Sequence, residues 1–183
     1  FLGQVTVGEP VRLTAEASGL EHAVHASFGD ALSLLGYSVY PDRVTVGQGV
    51  TVETLWQTAK ALPEDYLFMV QWLDPDGVVQ KQSLVSPSAQ VRPTSQWPAG
   101  AFVREWLTVN APAELKGGRY FLRIGISQGD GRLLTVRRGW RPLGEWLPLD
   151  EVEVLDRPRQ FDAPSFAFRV NARFADCIEL IGY

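Results

Sequence analysis

Residues 66–84 read YLFMVQWLDPDGVVQKQSL, and their pattern decides the fold class. Tyr66, Phe68, Val70 and Trp72 recur at every second position, which puts them on one face of a strand. DPDG (74–77) then breaks the run. Pro75 sets φ for the first corner of a turn, and Gly77 accepts the positive φ that follows. VVQKQSL leads the chain back, so the sequence predicts a β-hairpin over 66–84.

The same period of two extends in both directions. In VTVETLWQ (50–57), Val50, Val52, Thr54 and Trp56 share one face, and Thr51, Glu53, Leu55 and Gln57 the other. FVREWLTV (102–109) alternates again. RYFLRIGIS (119–127) sends Tyr120, Leu122, Ile124 and Ile126 inward and Arg123 outward. QGDGR (128–132) is a turn, and WLPLDEVEVL (146–155) makes a late strand. Helical signal is thin: PAELKG (112–117) suits one turn, which Gly117 and Gly118 end. Short alternating strands, with turns every eight to twelve residues or so, predict an all-β, antiparallel β-sandwich with one dry and one wet face per strand. Immunoglobulin-like topology is the first expectation and a jelly roll the alternative.

Composition fits. The chain has 183 residues, 45% of them apolar and 21% charged, which is enough for one well-cored domain. Its net charge of −4 argues against nucleic acid or an anionic membrane surface as the main partner, since both need a basic face. No 18-residue apolar run is present, so direct membrane insertion by this segment is not expected. The single cysteine, Cys177, excludes an intramolecular disulfide and a Cys-based zinc cluster.

A repeat suggests the domain layout. FGDALSLLGY (28–37) and FADCIELIGY (174–183) share Phe, Asp, Leu, Gly and Tyr at matching positions. QVTVGEPVRL upstream of the first resembles EVEVLDRPRQF upstream of the second. The expected organisation is a preceding module's tail or linker at 1–27, one module at 28–173, and the first strand of a following module at 174–183. On this reading the chain is a piece of a longer protein. Both ends are expected to lie extended against the sandwich or a neighbouring copy, with Phe174, Ile178 and Leu180 covered. The competing reading makes the two stretches similar strands of one sandwich.

FGDALSLLGY, G-x-x-V-x-V-x-x-L-W-Q, DYLFMVQWLDPDG, PTSQWPAGAFVREWLTVNAP and GGRYFLRIGIS together resemble a bacterial module. It is similar to extracytoplasmic C-terminal β-sandwiches of multi-pass membrane proteins described as glycosyltransferase-like or dolichyl-phosphate-mannose-mannosyltransferase-like, common in green non-sulfur bacteria. The resemblance covers roughly 28–127, with weaker support to 173. It implies an extracytoplasmic location as part of a membrane protein, and it brings no catalytic residue. Trp56, Trp72 and Trp106 stand where such modules usually carry Leu or Val.

VRRGWRPLGEW (136–146) is the stretch most suited to a ligand. Trp140 and Trp146 offer flat apolar faces for a sugar ring, and Arg137, Arg138 and Glu145 offer planar groups for its hydroxyls. Trp97, in PTSQWPAG (93–100), is a further candidate platform. The favoured reading of these rings is structural: Trp140 and Trp146 close an open end of the sandwich and Trp97 pins its loop to the core, as loop aromatics commonly do. Glu21, His22 and His25 (EHAVH) have i, i+3 spacing for a metal on a helical turn but no third ligand nearby, so no metal is expected. DPDG and QGDG lack the closing acidic ligand of a calcium loop and read as hairpin turns. Glu105, Glu145, Asp150 and Glu151 are the carboxylates from which a glycosidase-like pair would be drawn. The leading expectation is a non-catalytic module, without cofactor, that serves as a spacer or binds a glycan, a neighbouring module, or another chain through sheet-edge pairing. A glycan-processing enzyme using a carboxylate pair is the alternative.

Overall fold

The alternating stretches form strands that close around one core. The computed structural model describes residues 19–87, 92–157, 165–175 and 178–182. Its strands, in chain order, are β1 (His22–Phe28), β2 (Leu32–Tyr40), β3 (Arg43–Thr45), β4 (Gly49–Thr58), β5 (Leu67–Leu73), β6 (Val79–Val85), β7 (Phe102–Asn110), β8 (Gly118–Ser127), β9 (Val136–Arg138), β10 (Arg141–Gly144), β11 (Leu147–Leu155), β12 (Arg169–Phe174) and β13 (Ile178–Gly182). The first sheet has the order β10-β9-β1-β2-β4-β7, the second β3-β11-β8-β5-β6, and β12-β13 form a separate two-stranded sheet. Pairing is antiparallel except for β3, which runs parallel to β11. The fold is therefore an all-β sandwich, as the sequence predicts.

The expected hairpin is β5-β6, with Trp72 opposite Lys81 and Gln71 opposite Gln82. The carboxylate of Asp74 accepts the backbone N–H groups of Asp76 (3.0 Å) and Val78 (2.8 Å), and Gly77 has φ +80°. Each inward set named above is buried: Val50, Val52, Thr54 and Trp56 on β4; Phe68, Val70 and Trp72 on β5, with Tyr66 just before it; Tyr120, Leu122, Ile124 and Ile126 on β8. A series of rings links the two sheets. Phe28 meets Trp56 edge-on at 5.2 Å, Trp56 meets Phe68 at 4.9 Å, and Phe68 meets Trp97 at 6.2 Å. Such contacts add to the large apolar area these rings bury.

Two expectations change here. EHAVH is no linker: His22 and His25 belong to β1, which pairs with β2 on one side and β9 on the other. The sandwich thus reaches back to His22 instead of starting at Phe28. The apolar residues of β1, Val24, Ala26 and Phe28, alternate and are buried, but a bulge at Ala23/Ala26 with His25 at φ +49° interrupts the pattern. The tail also differs. Phe174, Ile178 and Leu180 are exposed, not covered, because among the described residues β12 and β13 pair with each other and with no other strand. Residues 1–18 and Cys177 lie outside the described residues.

The outer face of the first sheet is not wholly polar. Leu55 and Leu35 are buried there, away from the core. Arg104, paired with Leu55 across the strands, bonds to Glu53 at 2.8 Å on this face. Aliphatic stems of charged residues commonly cover apolar surface.

Candidate functional site

VRRGWRPLG is a hairpin, not the irregular loop its Gly and Pro suggest. Val136 packs inward opposite Phe28, which holds β9 against β1. Gly139, at φ +60°, turns the chain. Pro142 sits in β10, an edge strand where a missing N–H breaks no central ladder. This geometry lifts Trp140 to the tip of the turn, where it is 91% exposed. Gly139, with His25, Ser27, Ser33, Leu35 and Gln57, lines a shallow depression of about 300 Å³. A second hollow shares Ser27 and is lined by Gly29, Asp30, Thr135 and Arg137. The two hollows adjoin at Ser27 on the outside of the first sheet, with Arg137 in the lining of one and Gly139, the residue before Trp140, in the lining of the other. Ser27, Ser33 and Gln57 were not singled out in the sequence, and His25 only as a metal candidate, because nothing local marks residues that converge from β1, β2 and β4.

The other candidates go elsewhere. Trp146 lies on the outer face of the second sheet, flat over Gly125; a Cβ built there would approach the ring to 3.0 Å. The Arg123 guanidinium covers the indole at 4.9 Å from the ring centre. Arg123 Nε donates to Gln71 at 2.6 Å, and Gln71 Nε2 donates to Gln82 at 2.6 Å. Trp146 is thus held between a strand and a cation, with neither face open for stacking. In the structure Trp97 agrees with the loop-pin reading and not with the candidate platform. It is 1% exposed, packs on Phe68 and donates its indole N–H to the Arg92 carbonyl at 3.3 Å, so it pins the loop and presents no platform. Arg138 and Glu145 are exposed, and no ring contact joins Trp140 to Trp146 among the described residues.

His22 meets a partner that its neighbours in sequence do not reveal. Its Nε2 lies 2.9 Å from Asp150 Oδ2, which joins β1 of one sheet to β11 of the other. Its ring stacks on Tyr37 at 4.8 Å. Burial, and then the Asp150 charge, push the Tyr37 hydroxyl up to about 12, against the pull of Arg138. Glu21, His22 and Asp150 each offer a donor atom within 4.8 Å of the others. The i, i+3 partner His25 is not among them.

The carboxylates divide between different surfaces. Glu105 is buried on the inner side of β7, where its carbonyl accepts from Thr54. Glu151 faces Arg119 at 3.3 Å on the second sheet, and Asp150 bonds to His22. In the QGDG turn, Asp130 accepts the Arg132 backbone N–H at 2.9 Å, and this and the Arg132 side-chain bond hold its carboxyl below the ordinary range. Both candidate calcium fragments are turns in which Asp74 and Asp130 already bond to protein donors.

No protein-family model matches the sequence, and no curated protein does. Among solved structures, the chain is similar to the C-terminal domain of wzt, with 13% identity and a TM-score of 0.51 over 85% of this chain and 92% of that one. It also matches the alkylpurine DNA glycosylase AlkC of Pseudomonas fluorescens bound to DNA containing an abasic site analog (12% identity, TM-score 0.41, 68% of this chain and 30% of that one). A third match is a CARDB domain of Pyrococcus furiosus in complex with di-metal ions (10% identity, TM-score 0.36, 73% and 96%). The first likeness shows a shared β-sandwich fold and says nothing of ligands.

Proposed function

We propose that this sandwich is a non-catalytic, immunoglobulin-like module that holds a glycan weakly against the outer face of its first sheet, outside the cytoplasmic membrane and as part of a larger membrane-associated protein. The strand order supports the topology: β2-β4-β7 opposite β11-β8-β5-β6 follows strands A-B-E opposite G-F-C-C′. The location rests on the resemblance of 28–127 to extracytoplasmic modules. One observation carries the binding function, namely that Trp140 is 91% exposed and directly follows Gly139, which lines a depression carrying His25, Ser27, Ser33 and Gln57. An indole so placed contributes nothing to the core. Its open face suits the C–H side of a sugar ring, while Ser27, Ser33, Gln57 and Arg137 suit the hydroxyls.

A glycan array followed by titration calorimetry tests this. Trp140→Ala is expected to weaken binding at least about tenfold, the scale of one good stacking contact. Trp146→Ala is expected to leave it unchanged, since Arg123 already covers that ring. Loss with Trp146→Ala but not with Trp140→Ala would place the site on the wrong sheet. An array without any glycan bound would end the reading.

A further inference from the structure

The repeat in sequence is also a repeat of backbone geometry. In the first hairpin Ala26 pairs with Leu34, Ser27 with Ser33 and Phe28 with Leu32. In the last, Ala172 pairs with Leu180, Arg173 with Glu179 and Phe174 with Ile178. An offset of 146 residues holds at every pair. The irregularity recurs as well: Ala23/Ala26 in β1 becomes Arg169/Ala172 in β12, flanked by Ala23–Gly36 and Arg169–Gly182 pairs. So does the left-handed residue after each first strand, Gly29 at φ +59° and Ala175 at φ +51°. Two unrelated strands of one sandwich have no reason to share register, bulge and turn.

The two faces of the hairpins behave differently. The inward set of β1-β2 is Val24, Ala26, Phe28, Leu32 and Leu34, all in the core. Its counterparts are Val170, Ala172, Phe174, Ile178 and Leu180: the same residue in the first three, Leu to Ile in the fourth, and Leu kept in the fifth. The outward positions change character: Ser27 becomes Arg173 and Ser33 becomes Glu179. The core positions are kept, as are Asp30, Gly36 and Tyr37, while the outward Ser27 and Ser33 are not. Yet Phe28 is fully buried while Phe174 is 57% and Ile178 64% exposed. A lone two-stranded hairpin is marginal in water, and an apolar face of this kind marks a missing partner.

We propose that β12-β13 is the opening hairpin of a second sandwich of this same fold, and that Phe174, Ile178 and Leu180 pack in that sandwich's core as Phe28, Leu32 and Leu34 pack in the first. The existing sandwich cannot be the partner, because β1-β2 already fills the place, between β9 and β4. The occupant is thus a set of strands equivalent to β4 and β9 that lack an opening hairpin of their own. The protein is built as a row of like sandwiches, each begun by a hairpin of this register.

The test extends the full chain after Gly182 with a copy of residues 37–157, the segment that follows the matching hairpin in the first sandwich. Calorimetry is expected to show an unfolding enthalpy about twice that of the parent chain. Hydrogen exchange at 178–182 is expected to slow at least about 100-fold, toward that at 32–36. The same extension carrying Phe174→Asp and Leu180→Asp is expected to lose the added enthalpy while the first sandwich, an internal control, stays folded. An added copy that remains unprotected overturns the proposal, as does one that folds equally well with the Asp substitutions. A stable homodimer of the unextended chain, dissolved by Phe174→Asp, also overturns it, in favour of a second chain as occupant.

Discussion

The indole N–H of Trp56 donates to the Thr54 hydroxyl at 2.8 Å, and neither residue is exposed to solvent. Thr54 in turn donates to the Glu105 carbonyl at 3.3 Å, so a polar residue in an otherwise apolar row links a buried ring to the next strand. Thr54→Val keeps the shape and removes the acceptor. Leaving the indole N–H unsatisfied is expected to cost about 1–3 kcal/mol, read from urea unfolding. Thr54→Ser is expected to recover most of the loss. If Val and Ser behave alike, the hydrogen bond contributes nothing.

Gly125 has its own consequence. Its missing Cβ lets Trp146 lie on β8 beneath Arg123. Gly125→Ala forces the ring or the Glu145 carbonyl away, at an expected cost of about 1–3 kcal/mol. Acrylamide is expected to quench Trp146 more strongly in the variant, judged against the same change in a Trp146→Phe background. Unchanged quenching and stability would mean that the ring is not held there.

Much of the sandwich was legible because sheets packed on one side impose a period of two. Val50, Val52 and Trp56, or Leu122, Ile124 and Ile126, carry that period without interruption. β1 was missed for a physical reason: two histidines interleave its apolar residues, and the bulge at His25 breaks the alternation. β9 and β10 were missed because strands of three and four residues carry almost no periodic signal, and β10 holds a Pro and a Gly as well. At the candidate site, Trp140 and Arg137 were visible as residue types. Ser33 and Gln57 come to the depression beside Gly139 through the pairing of β2 with β4, which no short stretch encodes. The His22–Asp150 contact bridges two sheets and was invisible for the same reason.

Tyr37 gives the structure an alkaline limit. Burial first, and Asp150 second, raise its hydroxyl from 10.0 to about 12. The native state therefore holds this proton more tightly than the unfolded chain. The stabilisation is fully present below pH 10 and is lost as pH rises toward 12. In an absorbance titration of the chain's five tyrosines, one is expected to ionise late. Asp150→Asn is expected to lower its value only in part, because burial is the larger cause. A Tyr37 that titrates at its ordinary value in folded protein would contradict the packing at this seam.

Trp97 and Trp140 provide the sharpest contrast, because one residue type sits in two loop settings with opposite roles. Trp97 is 1% exposed, stacked edge-on against Phe68, and bonded through its indole N–H to Arg92. Trp97→Ala leaves a cavity in the core and is expected to cost about 3–5 kcal/mol. Trp140 touches solvent over nearly all its surface, so Trp140→Ala is expected to change stability by no more than about 0.5 kcal/mol. Urea unfolding of the two variants side by side checks this. A stability-neutral Trp140→Ala variant is also what makes its glycan titration interpretable, since any loss of binding then belongs to the missing ring and not to a loosened fold. If Trp140→Ala costs as much as Trp97→Ala, the indole is a structural lid, and the outer face of the first sheet has lost its binding platform.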